Sequence, residues 1–281
     1  MSGMSRIDER IGVCTWSLLP AGPDELIRKL RAVDINKVQL ALSPLVQDPG
    51  TWGNTISLLR EADIEIISGM FSPIGEDYST LETIRETGGV VPDEHWSANL
   101  ELASGIAAIA GNEGVRTVTF HAGFVPHDAN DPGYTKLRDR LKTLADVYAE
   151  HHCQLLLETG QETADDLLRF LDAVNKPNLG VNFDPANMIL YGKGDPVDAV
   201  RKLVGLIRQV HIKDAVSSAV PGEWGTEVPV GEGEVDWPAF MSVLQDAGYA
   251  GCFVIEREAG EDRVGDIKKA VRLIRDLGTH A

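Results

Sequence analysis

The sequence predicts an α/β fold in which a single domain, residues 1–281, closes as a (β/α)8 barrel. Eight short apolar runs of strand type alternate with eight helical patterns along the chain, and such alternation predicts parallel strands joined by helical crossovers. No turn dipeptide joins neighbouring strands as a hairpin. Eight units of this kind close naturally into a barrel of about 250 residues. The alternative is a doubly wound open sheet, but the first strand lacks a GxGxxG turn.

The predicted strands are apolar along most of their length, as expected for parallel strands buried on both faces. A polar lead-in, residues 1–10, precedes the first of them. In chain order the strands are Ile11–Ser17, Lys37–Leu42, Ile64–Met70, Val115–His121, Gln154–Glu158, Gly180–Asp184, Gln209–Lys213 and Gly251–Glu256.

The helical patterns repeat apolar residues every three or four positions, which indicates helices with one buried face. Asp195-Pro196 is a clear start signal, because proline at the first helical position loses no hydrogen bond. In chain order the predicted helices are Pro23–Val33, Ile56–Ala62, Trp96–Gly111, Tyr134–His152, Thr163–Asn175, Asp195–Ile207, Asp236–Gly248 and Asp262–Leu277.

The composition excludes several partners. The chain carries 43 acidic and 26 basic residues, a formal net charge of −17, and such a field repels nucleic acid and anionic membranes. Cys14, Cys153 and Cys252 are few, lack CxxC spacing and lie in apolar runs, so we expect core thiols rather than disulfides. No segment has the layout of a signal peptide or the length of a membrane span. The expectation is a reduced, cytoplasmic protein.

Ionisable residues stand at the ends of four consecutive predicted strands. They are Glu158, Asp184, His211 and Glu256, on strands five to eight. Because the carboxyl ends of barrel strands meet at one mouth, we expect these side chains to converge. Three carboxylates that close together cannot all stay ionised unless a cation lies among them. With one imidazole they suit a single divalent ion such as Mn²⁺, Mg²⁺, Co²⁺ or Zn²⁺.

Each acid has a structural alternative when it is taken alone. Asp184 precedes Pro185 and could be the N-cap of the following helix, since aspartate is a preferred capping residue. Four ligand-type residues at four successive strand ends are harder to explain as caps or solvated loop residues, so together they favour the metal site.

Five motifs resemble those of the xylose isomerase-like superfamily of TIM barrels. That group includes ketose 3-epimerases, hydroxypyruvate isomerases, inosose dehydratase and endonuclease IV. The resemblance covers nearly the whole chain and implies a metal set of Glu, Asp, His and Glu, which falls on the four strand-end residues above. Glu258 is the alternative for the last ligand, although the alignment through FVIE favours Glu256. The motifs are LLLETG from Leu155, VNFDPAN from Val181, VHIKDA from Val210, VPVGEGEVDW from Val228 and GYAGCFVIERE from Gly248.

The resemblance also implies an activity. We expect isomerisation or epimerisation of a sugar or sugar derivative through an enediolate, formed by proton abstraction next to a carbonyl. A divalent ion that chelates two vicinal substrate oxygens stabilises that charge. Glu158 and Glu256 would act as acid and base. A lyase, such as a dehydratase of a keto-inositol or keto-sugar, would use the same site and remains the alternative.

Other functions are less consistent with the sequence. Endonuclease IV-like cleavage of DNA uses several zinc ions and many histidines, whereas this chain has 7 histidines and an acidic charge. A hydride-shift isomerase would need a second carboxylate cluster. A sugar-binding barrel without catalysis would not require the complete ligand set. The resemblance further implies that a homo-oligomer, a dimer or tetramer, is common.

Four more residues are candidates for binding a small sugar or keto-sugar substrate. Lys213 could hold a substrate oxygen or be a solvated loop lysine. His121 could bind a hydroxyl or be a hydrogen-bonded core histidine. Trp16 could stack on a sugar face or pack in the core. Asn187 stands where many family members carry a histidine that contacts substrate.

Two long segments rich in glycine and proline are predicted as loops over the barrel mouth. Phe71–Glu94 is expected to contain one short helix, and Val216–Glu234 carries Trp224 and Glu232 as candidates for covering the site. Loops of this length are commonly functional, so we expect them to set specificity.

Overall fold

All eight predicted strands are present in the computed structural model of the protein, which describes residues 7–220 and 222–279. They form a closed barrel in which every neighbouring pair is parallel, so the predicted fold class is confirmed. The barrel strands are β1 (Ile11–Cys14), β2 (Lys37–Ala41), β3 (Glu65–Met70), β4 (Thr117–Phe120), β5 (Gln154–Glu158), β6 (Leu179–Phe183), β7 (Ile207–Ile212) and β10 (Cys252–Ile255). Around the barrel their order is β1-β10-β7-β6-β5-β4-β3-β2.

The helices lie outside the strands and bury their apolar faces against them. Several begin at an Asp-Pro pair, in which the aspartate side chain accepts a hydrogen bond from a backbone N–H of the first turn, the usual N-cap arrangement. The helices are α1 (Pro23–Val33), α2 (Ser43–Gln47), α3 (Pro49–Trp52), α4 (Thr55–Glu61), α5 (Leu81–Thr87), α6 (Asp93–Asn112), α7 (Pro132–Glu150), α8 (Ala164–Val174), α9 (Pro185–Leu190), α10 (Pro196–Leu203), α11 (Trp237–Asp246) and α12 (Arg263–Thr279).

The predicted boundaries at the chain start need correction. The first strand ends at Cys14 rather than Ser17, because Thr15–Leu18 turn into a 3-10 helix. Residues 1–6 of the predicted lead-in lie outside the described residues. The rest of it, Ile7–Arg10, is a short 3-10 helix, and Arg10 donates from Nε to the carbonyl of Gly251 at 2.8 Å.

Two later predictions are also wrong in part. The helix that begins after Asp195 ends at Leu203, and Ile207 opens β7, where it pairs with Val181 of β6. Burial in the barrel therefore overrides the helical periodicity that ran through this residue. The segment Val216–Glu234 is not only a loop. It contributes to an antiparallel hairpin of β8 (Asp214–Val216) and β9 (Thr226–Val228), and its Pro221 lies outside the described residues.

Buried polar contacts hold this hairpin to the barrel. The carboxylate of Asp214, fully buried, accepts from the backbone N–H groups of Gly231 and Val235 and from the indole of Trp237, at 2.9–3.2 Å. Glu227 on β9 accepts from the backbone N–H of Glu258, just after β10, at 3.0 Å. The hairpin is thus fixed beside the carboxyl end of the eighth barrel strand.

None of the helices within residues 7–220 and 222–279 combines the length and apolar character needed to cross a membrane. The segment Phe71–Glu94 contains one short helix, α5, as expected, and α6 begins at its end.

Candidate metal centre and active site

The structure brings the four strand-end residues together at the mouth of the barrel. Glu158 is the last residue of β5, Asp184 follows β6, His211 lies in β7 and Glu256 follows β10. One ligand atom from each lies within 4.8 Å of the others. All four residues are buried, none more than 4% exposed. The strand ends converge because parallel strands of a closed barrel all point the same way.

The imidazole of His211 is central to this cluster. Its Nδ1 lies 3.2 Å from Glu158 Oε1, 3.3 Å from Glu256 Oε2 and 3.7 Å from Asp184 Oδ2. On the other side of the ring, Nε2 lies 2.7 Å from Oε1 of Gln39. A proton on Nε2 donated to Gln39 leaves the Nδ1 lone pair directed at the carboxylates, and a hydrogen bond of this kind selects which nitrogen can be a ligand.

Gln39 was not among the predicted site residues. The available signal was a polar residue in the middle of an apolar strand, KVQLAL. In the barrel it is fully buried, donates to Thr119 Oγ1 at 2.6 Å and accepts from Gln209 Nε2 at 3.0 Å. These contacts hold the amide in one orientation and so hold its carbonyl oxygen on His211.

Replacing Gln39 with leucine is expected to weaken Mn²⁺ binding by about 10- to 100-fold, the usual effect of removing a partner that orients a ligand histidine. Titration calorimetry with Mn²⁺ measures this directly. Asn99→Leu is the matched control, because it also replaces a fully buried amide, whose hydrogen bonds are to the backbone of Ile74. Equal Mn²⁺ affinity in the two variants would contradict the orienting role of Gln39.

The two carboxylate oxygens of Asp184 lie in different surroundings, and the predicted capping role is present. Its Oδ1 accepts from the backbone N–H of Asn187 at 3.0 Å and caps α9. Its Oδ2 has no hydrogen-bond partner and faces His211 Nδ1 and Lys213 Nζ, each at 3.7 Å. The cap therefore orients the carboxylate and leaves one oxygen free for the cluster.

The donor set fits a divalent cation. Glu158 Oε2 and Asp184 Oδ2 are buried carboxylate oxygens without a hydrogen-bond partner, and leaving such a group unpaired costs free energy. Carboxylate oxygens with one imidazole nitrogen are a suitable set for Mn²⁺, Mg²⁺, Co²⁺ or Zn²⁺. Cys14 is also near, with Sγ 3.7 Å from His211 Nε2, but burial raises the pKa of this thiol, and a protonated thiol is a poor ligand.

The electrostatics of the cluster show strong opposing effects. Burial lowers the pKa of His211, but Glu256 and Glu158 outweigh it and hold that pKa well above the usual value. Burial raises the pKa of Glu256, yet Lys213 and His211 hold it well below the usual value. For Asp184 burial prevails over the nearby cations, and the pKa is raised. Such opposing shifts among neighbouring groups are typical of functional sites.

Lys213 is a buried member of the site, not a solvated loop lysine, and is only 2% exposed. Its ammonium donates to Glu258 Oε2 at 2.6 Å, to Glu256 Oε2 at 3.0 Å and to Asn187 Oδ1 at 3.2 Å. Asn187 in turn donates from Nδ2 to Glu158 Oε1 at 3.0 Å. One hydrogen-bonded chain thus links the carboxylates of β5 and β10.

Trp16 and His121 both line the cavity above the cluster, so neither is a plain core residue. The indole of Trp16 donates to Glu256 Oε1 at 2.8 Å. His121 Nε2 lies 3.7 Å from Glu158 Oε2. Burial lowers the pKa of His121, but Glu158 and Glu76 outweigh it and raise that pKa.

The cavity has a volume of about 580 Å³, which suits a small ligand. The two long segments form part of its wall, as expected, through Glu76 and Tyr78 from the first and Trp224 from the second. Tyr191 completes the aromatic wall and lies 4.7 Å from Trp224 between ring centroids. Glu232 does not line the cavity and pairs instead with Lys269 of α12. The sequence had indicated Trp224, which lines the cavity, and Glu232, which does not; it had not indicated Glu76, Tyr78 or Tyr191.

The comparisons with known proteins agree with the barrel fold. A family model described as xylose isomerase-like TIM barrel matches residues 54–277. Among solved structures, the chain is 33% identical to a xylose isomerase domain protein from Planctomyces limnophilus, with a TM-score of 0.83 and coverage of 95% of this chain and 96% of that one.

Named relatives are more distant and have different activities. The chain is 27% identical over 138 residues to an inosose dehydratase of Geobacillus thermodenitrificans, covering 43% of this chain and 46% of that protein. It is 24% identical over 254 residues to an L-ribulose-5-phosphate 3-epimerase of Salmonella heidelberg, covering 78% and 87%. The chain spans about half the length of the dehydratases it matches.

Proposed function

This chain belongs to the xylose isomerase-like TIM barrel family, and from that premise we propose that it is a divalent-metal-dependent isomerase or epimerase of a sugar or sugar derivative. The reaction begins with abstraction of a proton from the carbon next to a carbonyl. The observation that carries the proposal is the buried cluster of Glu158, Asp184, His211 and Glu256 below a cavity of about 580 Å³. Enzymes of this fold place their active sites at this end of the barrel.

The four cluster residues would hold the metal ion, which when bound supplies Lewis-acid stabilisation of negative charge on substrate oxygen. Glu158 takes the proton from the α-carbon through its carboxylate, which lies next to His121 of the cavity wall. The protonated Glu158 returns its proton to the neighbouring carbon in an isomerisation. In an epimerisation Glu158 releases that proton to solvent, and Glu256, protonated by the ammonium of Lys213 at 3.0 Å (which solvent protonates again), delivers a proton to the opposite face. Trp16 and Lys213, which donate to its two oxygens, keep its carboxylate in position. His121 and Asn187 contact Glu158 and orient substrate hydroxyls from the cavity wall.

A dehydratase is the second candidate, because the chain matches inosose dehydratases and the site contains a proton donor besides the glutamates. After the same proton abstraction, a hydroxyl on the β-carbon leaves as water if an acid protonates it. Lys213 lines the cavity, and its ammonium would supply that proton. The proton that Glu158 removed from the substrate then passes to solvent, and Lys213 takes up one proton from solvent, which restores the site.

Hydrogen exchange in D₂O tests the proposed reaction. The purified protein, first analysed for bound metal, is incubated with ketoses, a keto-inositol and hydroxypyruvate. We expect deuterium at the carbon next to the carbonyl, and loss of this exchange after chelation, with recovery when Mn²⁺, Mg²⁺, Co²⁺ or Zn²⁺ is restored. A rearranged sugar identifies an isomerase or epimerase, and a dehydrated product identifies a lyase. Exchange that survives complete removal of metal would contradict the proposal.

A further inference from the structure

The wall of the active-site cavity is acidic. Glu76, Glu256 and Glu258 line it, and Glu158 and Asp184 belong to the same buried cluster as Glu256. Among the described residues that line the cavity, Lys213 is the only lysine or arginine. With all five carboxylates ionised, one ammonium, one divalent ion and a protonated His121 would still leave the formal charge of the site negative. The net charge of −17 on the whole chain adds to this field.

Lys213 is not available to neutralise an anionic ligand. Its Nζ already lies 2.6 Å from Glu258 and 3.0 Å from Glu256, and 3.7 Å from Asp184. An approaching phosphate or carboxylate would meet the negative charges that surround this ammonium, and each repulsion is strong inside a partly desolvated cavity.

At the position where barrels of this type commonly bind phosphate, the hydrogen-bond donors are already bonded to other groups of the protein. That position is built from the loops after the seventh and eighth barrel strands. Here the backbone N–H of Glu258 is donated to the carboxylate of Glu227 at 3.0 Å. The guanidinium of Arg257 is turned toward Glu227 and Asp266, at 2.6 and 3.0 Å, and Arg263 donates to the carbonyl of Gly260 at 2.8 Å.

The remaining features of the cavity suit an uncharged polyol. Carboxylates accept hydrogen bonds from hydroxyl groups, and the cavity is walled by the rings of Trp16, Tyr78, Tyr191 and Trp224, against which the apolar face of a sugar ring packs. The relatives do not indicate whether the substrate is phosphorylated, because one is named for a phosphorylated sugar and another for inosose.

We propose that the substrate is an unphosphorylated, uncharged polyhydroxy ketone, and that the carboxylates of Glu76 and Glu258 exclude phosphate esters and carboxylates from the cavity. This inference rests on the proposed function, since it names the substrate class of that same site.

Matched ligand pairs test the inference separately from the reaction. D-fructose, D-tagatose and D-ribulose are each compared with their terminal phosphate esters, by calorimetric binding to the Mn²⁺-loaded protein and by D₂O exchange. We expect each phosphate to bind at least about tenfold more weakly than its neutral partner, with a difference that shrinks as salt is added. 6-O-acetyl-D-fructose, a neutral ester, separates the effect of charge from that of size.

Charge-neutral variants identify the excluding residues. Glu258→Gln and Glu76→Gln are each expected to bind fructose 6-phosphate about fivefold more tightly than the unaltered protein, because one nearby negative charge is removed. Glu223→Gln is the matched control, since Glu223 is an exposed residue in the β8–β9 connection and does not line the cavity. It should leave phosphate binding unchanged.

The outcomes distinguish the two proposals. Phosphate esters that bind or exchange better than their neutral partners overturn the inference and leave the enzymatic reaction standing. A similar loss of binding affinity for the acetyl ester and the phosphate ester also overturns the inference, because the size of the substituent rather than its charge would then determine binding. Failure of every neutral ketose to bind counts against it as well. Neutral ketoses that bind without any exchange support the charge selection and contradict the proposed reaction on them.

Discussion

Replacing Glu158 with glutamine is expected to lower the rate of proton exchange by about 10²- to 10⁴-fold, the range that a general base commonly contributes. The variant keeps the size of the side chain but removes both the negative charge and the basic oxygen. Glu158 carries a buried Oε2 without a hydrogen-bond partner, and its Oε1 lies 3.2 Å from His211 Nδ1, so its replacement affects both the proposed metal site and the proposed base. The measurement is the initial rate of deuterium incorporation at saturating substrate.

Glu162→Gln is the matched control for this variant. Glu162 follows β5 in the same loop, is almost as buried as Glu158 and lines a separate cavity beside Phe124 and Lys193. Its substitution should change the rate of deuterium incorporation by less than a factor of about 3, as for a residue that takes no part in the reaction. Metal analysis of Glu158→Gln separates its two proposed roles. A variant that retains the ion and loses exchange identifies the base, and a variant with unchanged exchange would remove Glu158 from the mechanism.

Replacing Arg257 with methionine is expected to destabilise the folded protein by about 3–5 kcal/mol, the usual cost of leaving the partners of a buried ion pair uncompensated. The side chains of Arg257, Glu227 and Asp266 are only 7%, 8% and 12% exposed. The guanidinium donates to both carboxylates, at 2.6 and 3.0 Å. Its loss leaves two buried negative charges between the hairpin, the end of β10 and α12.

Urea unfolding followed by circular dichroism measures this effect. Arg201→Met is the control, because Arg201 pairs with Asp198 on the exposed face of α10, where both side chains are more than half exposed, and such pairs contribute about 0–1 kcal/mol. A double variant, Arg257→Met with Glu227→Gln, should recover part of the lost stability. Equal unfolding midpoints for Arg257→Met and Arg201→Met would show that the buried network does not stabilise the hairpin.

The extent to which the sequence predicted the site can be traced through single residues. Glu158, Asp184, His211 and Glu256 were recognisable because a charged residue at the end of an apolar strand is unusual in a buried sheet. Gln39 was visible as a polar residue inside an apolar strand, but its contact with His211 joins positions 172 residues apart. Glu76, Tyr78 and Tyr191 carried no local signal, since irregular segments do not reveal which side chains face inward.

Some predictions stay open as predictions. They are the single domain over residues 1–281, the cytoplasmic location, the homo-oligomer, and the roles of the site residues as metal ligands and acid–base groups. Phe71–Glu94 and Val216–Glu234 both contribute to the cavity wall, through Tyr78 and Trp224. That these segments set the substrate specificity also stays a prediction.

The sequence by itself determined the barrel and the identity of the four residues at its mouth. Both follow from local patterns. The alternation of strand and helix periods predicts a parallel sheet, and a residue at the end of a predicted strand is expected at the mouth of the barrel. Only the tertiary structure decided that Asp184 caps α9 with one oxygen and faces the cluster with the other, that Gln39 orients His211, and that the β8–β9 hairpin is clamped to β10. Apart from the cap between Asp184 and Asn187, these contacts join residues distant in the chain, so they exist only once the barrel has closed.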